Sequence, residues 1–483
     1  MKRLVVGFLI SIAAAGPSHG QTVTMESYLN KVRLRHPYFA SEQLQPAIEA
    51  KNRDSYLGRQ DWVATSSAYF AYQRPLSNSA FAPEETYAAG IDAGLERTFW
   101  GTGGQFAIFW ESRATDQRLP EIVIPGGPND IAIPIGPQRF YENRIYARYS
   151  QPLLQDRGGL LNRLEYELAD YNINFAEVQS LENQENFLLD VALLYLDWVM
   201  IVEEHRISNE RLKFAEEQLD QITRRRDAYL VDDVDVLRAQ DALQVAKQAV
   251  VRNESQFIAR RAELAVLVQD NGLNELFPEF DIYEEATLPT ADDAIADIQH
   301  QRIVRALTVR LGQLSHQKVG FQETTKAQLY LNLAGGVQEG DRLYFEALNL
   351  DRPEVSVSLD FRYPLGNRTA RNDVAKTNLE IRQLEEQIKS VSIDLEAEIR
   401  KILIQIDELV KIMALNREQI ETAREKTKAE QERYEQGRGA LNFVIQSRDD
   451  EFIAQLRLAI NAATYHQLVL TYRALADELL PNS

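Results

Sequence analysis

The sequence predicts a mainly α fold with β segments, built on long coiled-coil helices that occur twice. Three observations carry this. Gly and Pro are both missing from 160 to 271, from 367 to 436 and from 440 to 480. Between those stretches the apolar period shortens from that of a helix to that of a strand. The order of elements then recurs in a second half of the chain.

Because Gly and Pro break helices, stretches of about 110, 70 and 40 residues without them, rich in Leu, Ala, Glu, Gln, Arg and Lys, read as unusually long helices. At 1.5 Å per residue, a run of about 70 residues makes a rod on the order of 100 Å. Rods of that length imply coiled-coil packing, each burying a narrow stripe against its neighbours. Phe187, Leu188, Val191, Leu194, Tyr195 and Trp198 follow the required spacing, and Ile402, Ile404, Ile406, Leu409 and Ile412 follow it more loosely. The first stretch is expected to break between 229 and 235, where Val231-Asp232-Asp233-Val234 is a poor helix former and offers Asp caps to a second helix. Gly437-Arg438-Gly439 marks the matching break in the second half.

Val355, Val357, Leu359, Phe361 and Tyr363 alternate with Ser356, Ser358, Asp360 and Arg362, as Leu329, Leu331 and Leu333 do with Gln328, Tyr330 and Asn332. Such segments suit a half-buried sheet or a lipid-facing barrel. Comparable strands are 68 to 73 and 144 to 149, with 87 to 99 and 105 to 111 between them, joined by the turn Gly101-Thr102-Gly103-Gly104. Aromatics at strand ends, among them Trp62, Trp100, Trp110 and Tyr141, tilt the reading toward a membrane girdle. The Pro-rich segment 116 to 138 reads as a loop.

Composition narrows the class. The chain of 483 residues carries 72 Asp+Glu against 53 Lys+Arg, a net charge of -19, and no Cys. That excludes disulfide scaffolds, thiol enzymes and zinc-thiolate sites, and argues against nucleic acid as a partner. Past the first 20 residues no apolar run is long enough for a transmembrane helix, but a β-barrel stays open. Residues 1–20 read as a signal peptide: Lys2 and Arg3, an apolar stretch from Leu4 to Ala15, then Ser18-His19-Gly20 before Gln21. Losing Lys2 and Arg3 would take the charge from -19 to -21. With no Cys after the apolar stretch, lipid anchoring is not expected.

The repeat assigns 21–285 to a first unit (strands 61–150, long helices 156–271) and 286–483 to a second (strands 326–365, long helices 367–480). Thr24 opens an amphipathic helix running to His36-Pro37, and Thr290 another running to Arg302-Ile303. Pro152, followed by Gly158 and Gly159, and Pro364, followed by Gly366, stand where a strand stops and a rod begins.

The leader, the duplicated order, these strand-to-helix transitions and the pattern Tyr434-x-x-Gly437 before Leu441-Asn442-Phe443-Val444-Ile445 together resemble the TolC family of outer-membrane efflux and secretion channels. The resemblance covers nearly the whole chain after the leader. It implies a homotrimer in the outer-membrane lipid, whose helices form a periplasmic α-barrel continuous with a shared transmembrane β-barrel. It implies docking of the helix tips to a periplasmic adaptor (membrane fusion protein) and an inner-membrane transporter, in tripartite efflux or type I secretion. It also implies no enzymatic activity, no cofactor and no metal. Barrel closure is physically coherent, since too few strands in lipid would leave unpaired edges.

By the resemblance, Arg226, Asp227, Tyr229, Leu230, Val231, Asp232, Gly437, Gly439 and Asn442 belong to the adaptor-docking tips, and Asp235, Tyr434, Arg438 and Phe443 are candidates for a periplasmic gate. Asp235 matches the family's carboxylate before a Val-Leu pair; the bland alternative is a first-turn helix Asp. Tyr229 departs from the family's usual Gly. Gly439 stands where an Arg partner is found, and Arg438 is the candidate substitute. The expected closure uses Tyr434 and charges from the first tip, with Phe443 as an apolar constriction. The rival class is a periplasmic coiled-coil adaptor or spacer without its own pore. His19, His36, His205, His300, His316 and His466 show no metal-ligand spacing.

Overall fold

Two helices of 68 residues, α3 (Leu160–Asp227) and α7 (Arg368–Glu435), dominate the computed structural model, which describes residues 22–76, 82–119, 122–124, 131–133 and 138–480. Residues 1–20, expected to form a signal peptide, and most of the Pro-rich segment lie outside the described residues. In chain order the other elements are β1 (Thr22–Thr24), α1 (Met25–Arg35), α2 (Pro37–Ser55), β2 (Val63–Gln73), β3 (Glu85–Thr98), β4 (Gln105–Arg118), β5 (Ile122–Ile124), β6 (Ile131–Ile133) and β7 (Gln138–Pro152). After α3 come α4 (Asp233–Val268), β8 (Phe277–Glu279), α5 (Ala291–Ala296), α6 (Arg302–Thr324), β9 (Gln328–Asp341) and β10 (Arg352–Arg362); α8 (Leu441–Leu475) follows α7.

Each rod ends by the same device. Tyr229, Gln269, Gly437 and Asp477 all take positive φ, and the next N–H reaches back: Leu230 to the Arg225 carbonyl, Asp270 to Ala265, Arg438 to Arg433 and Glu478 to Arg473. This left-handed closure satisfies carbonyls that a helix end leaves orphaned. Tyr229 therefore makes the turn that Gly437 makes, without glycine's freedom. At the start of α4, Asp232 occupies the cap position but its side chain makes no capping bond, contrary to the cap expected there.

The chain folds into two compact units that each draw on both halves of the sequence. The helical unit takes the described residues of Met1–Leu44, Val178–Arg305 and Lys389–Ser483. Its core holds Val191, Ala192, Tyr195, Leu196 and Trp198 of α3 and Ala459, Ala462, Tyr465 and Val469 of α8, all buried. Tyr28 donates to the Leu264 carbonyl (3.1 Å) and Tyr195 to that of Val23 (2.6 Å). On α7 the buried seam is Ile399, Ile402, Ile406, Met413 and Ile420, whereas Ile404 and Ile412 are exposed. That seam keeps the coiled-coil repeat that the looser isoleucine series did not. The helix expected from Thr290 to Arg302 is also shorter: Thr290 caps α5, which stops at Ala296, and Arg302 instead opens α6.

The sheet unit takes Gln45–Glu177 and Ala306–Ile388. Its six strands are antiparallel in the order β10-β9-β7-β4-β3-β2, so the hairpin β3–β4 lies inside the sheet and β2 and β10 are its edges. Pro152 ends β7 opposite Tyr330, and the Pro364 carbonyl accepts from Asn367 (3.0 Å) just before α7. Among the described residues, β5 and β6 pair only with each other. The sheet is open among the described residues. Its polar face mixes Arg113, Arg144 and Arg148 with Asp92, Glu96 and Glu111, so the acidic excess is not concentrated there.

Gly159 fixes the start of α3. Its φ is +67° and an added Cβ would meet the Trp100 carbonyl, so no other residue fits. Asp156 then caps the helix, accepting from the Leu161 N–H (2.8 Å) and the Asn162 amide (2.5 Å).

Candidate functional site at the helix turns

The two helix breaks meet in one apolar cluster. Ile222 of α3, Val236 and Ala239 of α4, Tyr434 of α7 and Leu441 and Val444 of α8 are buried together, with Leu219, Val231 and Ile445 packed against them. Tyr434 is only 6% exposed although it stands two residues before the second turn begins. Burial pushes its phenol above the ordinary tyrosine range; the nearby Arg225 works against that rise and Asp235 adds to it. Its hydroxyl has no hydrogen-bond partner among the described residues.

The charge partner of Tyr434 comes from the first tip. The Arg225 guanidinium lies 4.7 Å from the ring centroid, within cation–π range. Arg438, the expected substitute partner, is exposed, and no ring contact joins it to Tyr434. In the sequence Arg225 is hidden in the middle of the run Arg224-Arg225-Arg226, which reads as basic charge at a helix C-terminus. Its neighbours are spoken for: Arg224 pairs with Asp220, and Arg226 with Asp227 at 2.6 Å.

Asp235 lies in the first turn of α4 and pairs with Arg238 at 3.1 Å. Its N–H donates to the Asp232 carbonyl at 3.0 Å. Phe443 is half-exposed, and Tyr229, Leu230, Val234 and Leu237 form an exposed apolar margin around the first turn. Asp232, Gly437, Gly439 and Asn442 are at least partly open to solvent, with Val231 partly buried. The turns thus offer a firm buried knot beneath exposed apolar and charged groups.

A second polar cluster was not legible in the sequence. Arg302 at the head of α6 contacts Glu185 of α3, lies 3.6 Å from the Asp477 carboxylate, and gives its N–H to Asp477 at 2.7 Å. Glu185 also accepts from the Leu479 N–H at 2.6 Å. Glu182, Glu185 and Asp477 are the one carboxylate group among the described residues close enough to share an ion, and Arg302 already sits in it. Residues far apart in the chain build this network, so spacing gave no signal.

Long paired helices on a chain that also forms an amphipathic antiparallel sheet define a class: the chain has the fold of outer-membrane channel proteins. No protein-family model and no curated protein matches the chain. Among solved structures it is similar to the outer membrane protein VceC of Vibrio cholerae, with 12% identity over 94% of this chain and 96% of that one, at a TM-score of 0.64. It is similar to CusC, with 8% identity over 96% and 95% and a TM-score of 0.67. It is also similar to the open state of the MtrE outer membrane channel of Neisseria gonorrhoeae, with 15% identity over 94% and 89% and a TM-score of 0.63. At these identities the likeness is one of fold, and it is the fold the TolC-family resemblance implied.

Proposed function

We propose that the chain is the outer-membrane channel of an export pump, a passive trimeric duct that carries small molecules or polypeptides across periplasm and outer membrane. The observation that carries this reading is the sheet: Val355, Val357, Leu359 and Phe361 are exposed along one face of β10 while Ser356, Ser358 and Asp360 occupy the other, and the edges β2 and β10 are free. An apolar outer face, a polar inner face and two unpaired edges suit strands that close a barrel only with further copies. A periplasmic spacer without a pore has no use for such a face. The full-length likeness to the outer-membrane channels VceC, CusC and MtrE supports the same reading.

In this reading 1–20 is a signal peptide, the fold rather than a lipid holds the protein in the outer membrane, and 21–285 and 286–483 are duplicate units. The pairing of a 68-residue helix with one of 36 residues in the first half, and of 68 with 35 in the second, supports the duplication. The tips dock a periplasmic adaptor, which links the duct to an inner-membrane transporter of either an efflux or a type I secretion system. The knot of Arg225, Tyr434 and Val236, flanked by Asp235 and Phe443, serves as the periplasmic gate. The channel reading is tested by fractionation and conductance: it expects a trimer in outer membranes that conducts ions in a planar bilayer. A soluble monomer overturns it.

A further inference from the structure

The hairpin β3–β4 is paired without interruption on both sides. β2 runs along β3 from Val63 opposite Glu96 to Gln73 opposite Thr86, and β4 runs along β7 from Gln105 opposite Ser150 to Gln117 opposite Gln138. The hydrogen-bonding edges that β2 and β7 could offer one another are therefore occupied by the hairpin. Its turn is also anchored: Trp100 is buried against the Tyr166 ring of α3 at 5.5 Å, and the Trp100 carbonyl lies directly over Gly159.

The pattern of faces crosses the hairpin unchanged. One register row passes through all six strands as Ser67, Asp92, Glu111, Arg144, Gln338 and Arg352, every member polar. The next row, one residue along each strand, is Ser66, Ala93, Trp110, Ile145, Val337 and Pro353, all but the first apolar. A hairpin that left the membrane and stood in water would need no apolar face in register with that of its neighbours. β3 and β4, at 14 residues each, also exceed the roughly 9–11 residues that a tilted strand needs to cross a bilayer.

We infer that β3 and β4 are part of the membrane wall, so that each copy contributes six strands and the closed barrel of three copies has eighteen. This rests on the trimeric-duct reading above. A barrel of that size keeps an aqueous bore instead of filling it with side chains. On the inner face the rings of Tyr69, Phe109 and Phe140 lie against Gly90, Gly94 and Gly340 of adjacent strands, so they press on the wall. The hairpin adds Asp92 and Glu111 to the row that holds Arg144 and Arg352, giving the bore alternating acidic and basic sectors around its circumference. Such a duct suits bulky cargo carrying both signs of charge.

The chain has no Cys, so single substitutions report cleanly on each face. In intact outer membranes, Asp92→Cys and Glu111→Cys are expected to react with a charged, membrane-impermeant maleimide, and Ala93→Cys and Ile108→Cys to lose that reaction. On β10, Ser358→Cys should react and Val357→Cys should not. If both faces of the hairpin react while β10 alternates, the hairpin stands outside the membrane and the eighteen-stranded wall is wrong, though the duct survives. If β10 fails to alternate as well, the duct reading itself falls and takes the wall with it.

Discussion

The Arg225 guanidinium lies 4.7 Å from the centre of the Tyr434 ring, joining the end of the first long helix to the end of the second. Residues 209 positions apart in sequence thus form the central contact of the candidate gate, between the two turns where the rods double back. The ring is buried and the arginine only partly so, so the contact can break without dismantling the cluster beneath.

If that contact holds the gate, its loss should favour the open state. A partly exposed cation–π pair contributes about 1 kcal/mol, a roughly fivefold change in a two-state population. Arg225→Ala is expected to raise the open probability of single channels in planar bilayers by about that factor. Asp235→Ala and Tyr434→Ala should raise conductance further, and unchanged conductance in all three variants would sink the gate. Tyr434→Phe is a control: its hydroxyl has no partner, so stability should hold or improve slightly.

Tyr229 takes a φ of +58° in a turn that Gly437 makes at +72°. A left-handed conformation costs an L-residue roughly 1–2 kcal/mol, against roughly 0.5–1 kcal/mol of extra chain entropy for Gly. Tyr229→Gly should therefore stabilise the helical unit by about 0.5–1 kcal/mol in denaturant unfolding. A loss of stability would show that the 97% exposed tyrosine ring makes a contact that outweighs the strain.

Arg302 is 8% exposed and faces the buried Glu185. Arg302→Met leaves that carboxylate without its cation, and breaking a buried pair in this way costs about 3–5 kcal/mol. Chemical denaturation measures it. A loss below about 1 kcal/mol would mean that water reaches Glu185 freely.

The same cluster sets a pH dependence. Burial, opposed by the Arg302 N–H and charge, raises the Asp477 carboxyl above its ordinary range, and burial likewise raises Glu182. A carboxyl raised on folding contributes stability that is complete below about pH 4, its unfolded range, and is lost as pH climbs through the folded value. Asp477→Asn should flatten the stability profile in that window while keeping the acceptor for the Arg302 N–H. An unchanged profile would assign the pH dependence elsewhere.

Gly159→Ala tests the anchor of the hairpin turn. The new methyl would meet the Trp100 carbonyl at a backbone angle of +67°, so the turn or the first turn of α3 must shift. A loss of about 2 kcal/mol or more is expected. Gly158→Ala, with open space around it, should be near neutral on this count.

Much of this architecture is local and was legible for that reason. Missing Gly and Pro marked α3 and α7, the alternation of Val355 to Phe361 marked β10, and Gly437-Arg438-Gly439 marked the second turn, because propensity and period act within a few residues. The burial of the isoleucines is not local. Ile404 looked like seam and is exposed, while Ile399 and Met413 carry the seam, since which stripe is buried depends on where the neighbouring helix lies.

By itself, then, the sequence determined the rods, their breaks, the strand segments and an acidic chain without thiols. Only the tertiary structure decided that β3–β4 lies inside the sheet, that Arg225 and not Arg438 meets Tyr434, and that Arg302 is held between Glu185 and Asp477. The physical reason is range. Hydrogen-bonding periods and backbone preferences are written along the chain, whereas strand order and the pairing of buried charges are set by packing between segments that the chain brings together from far apart.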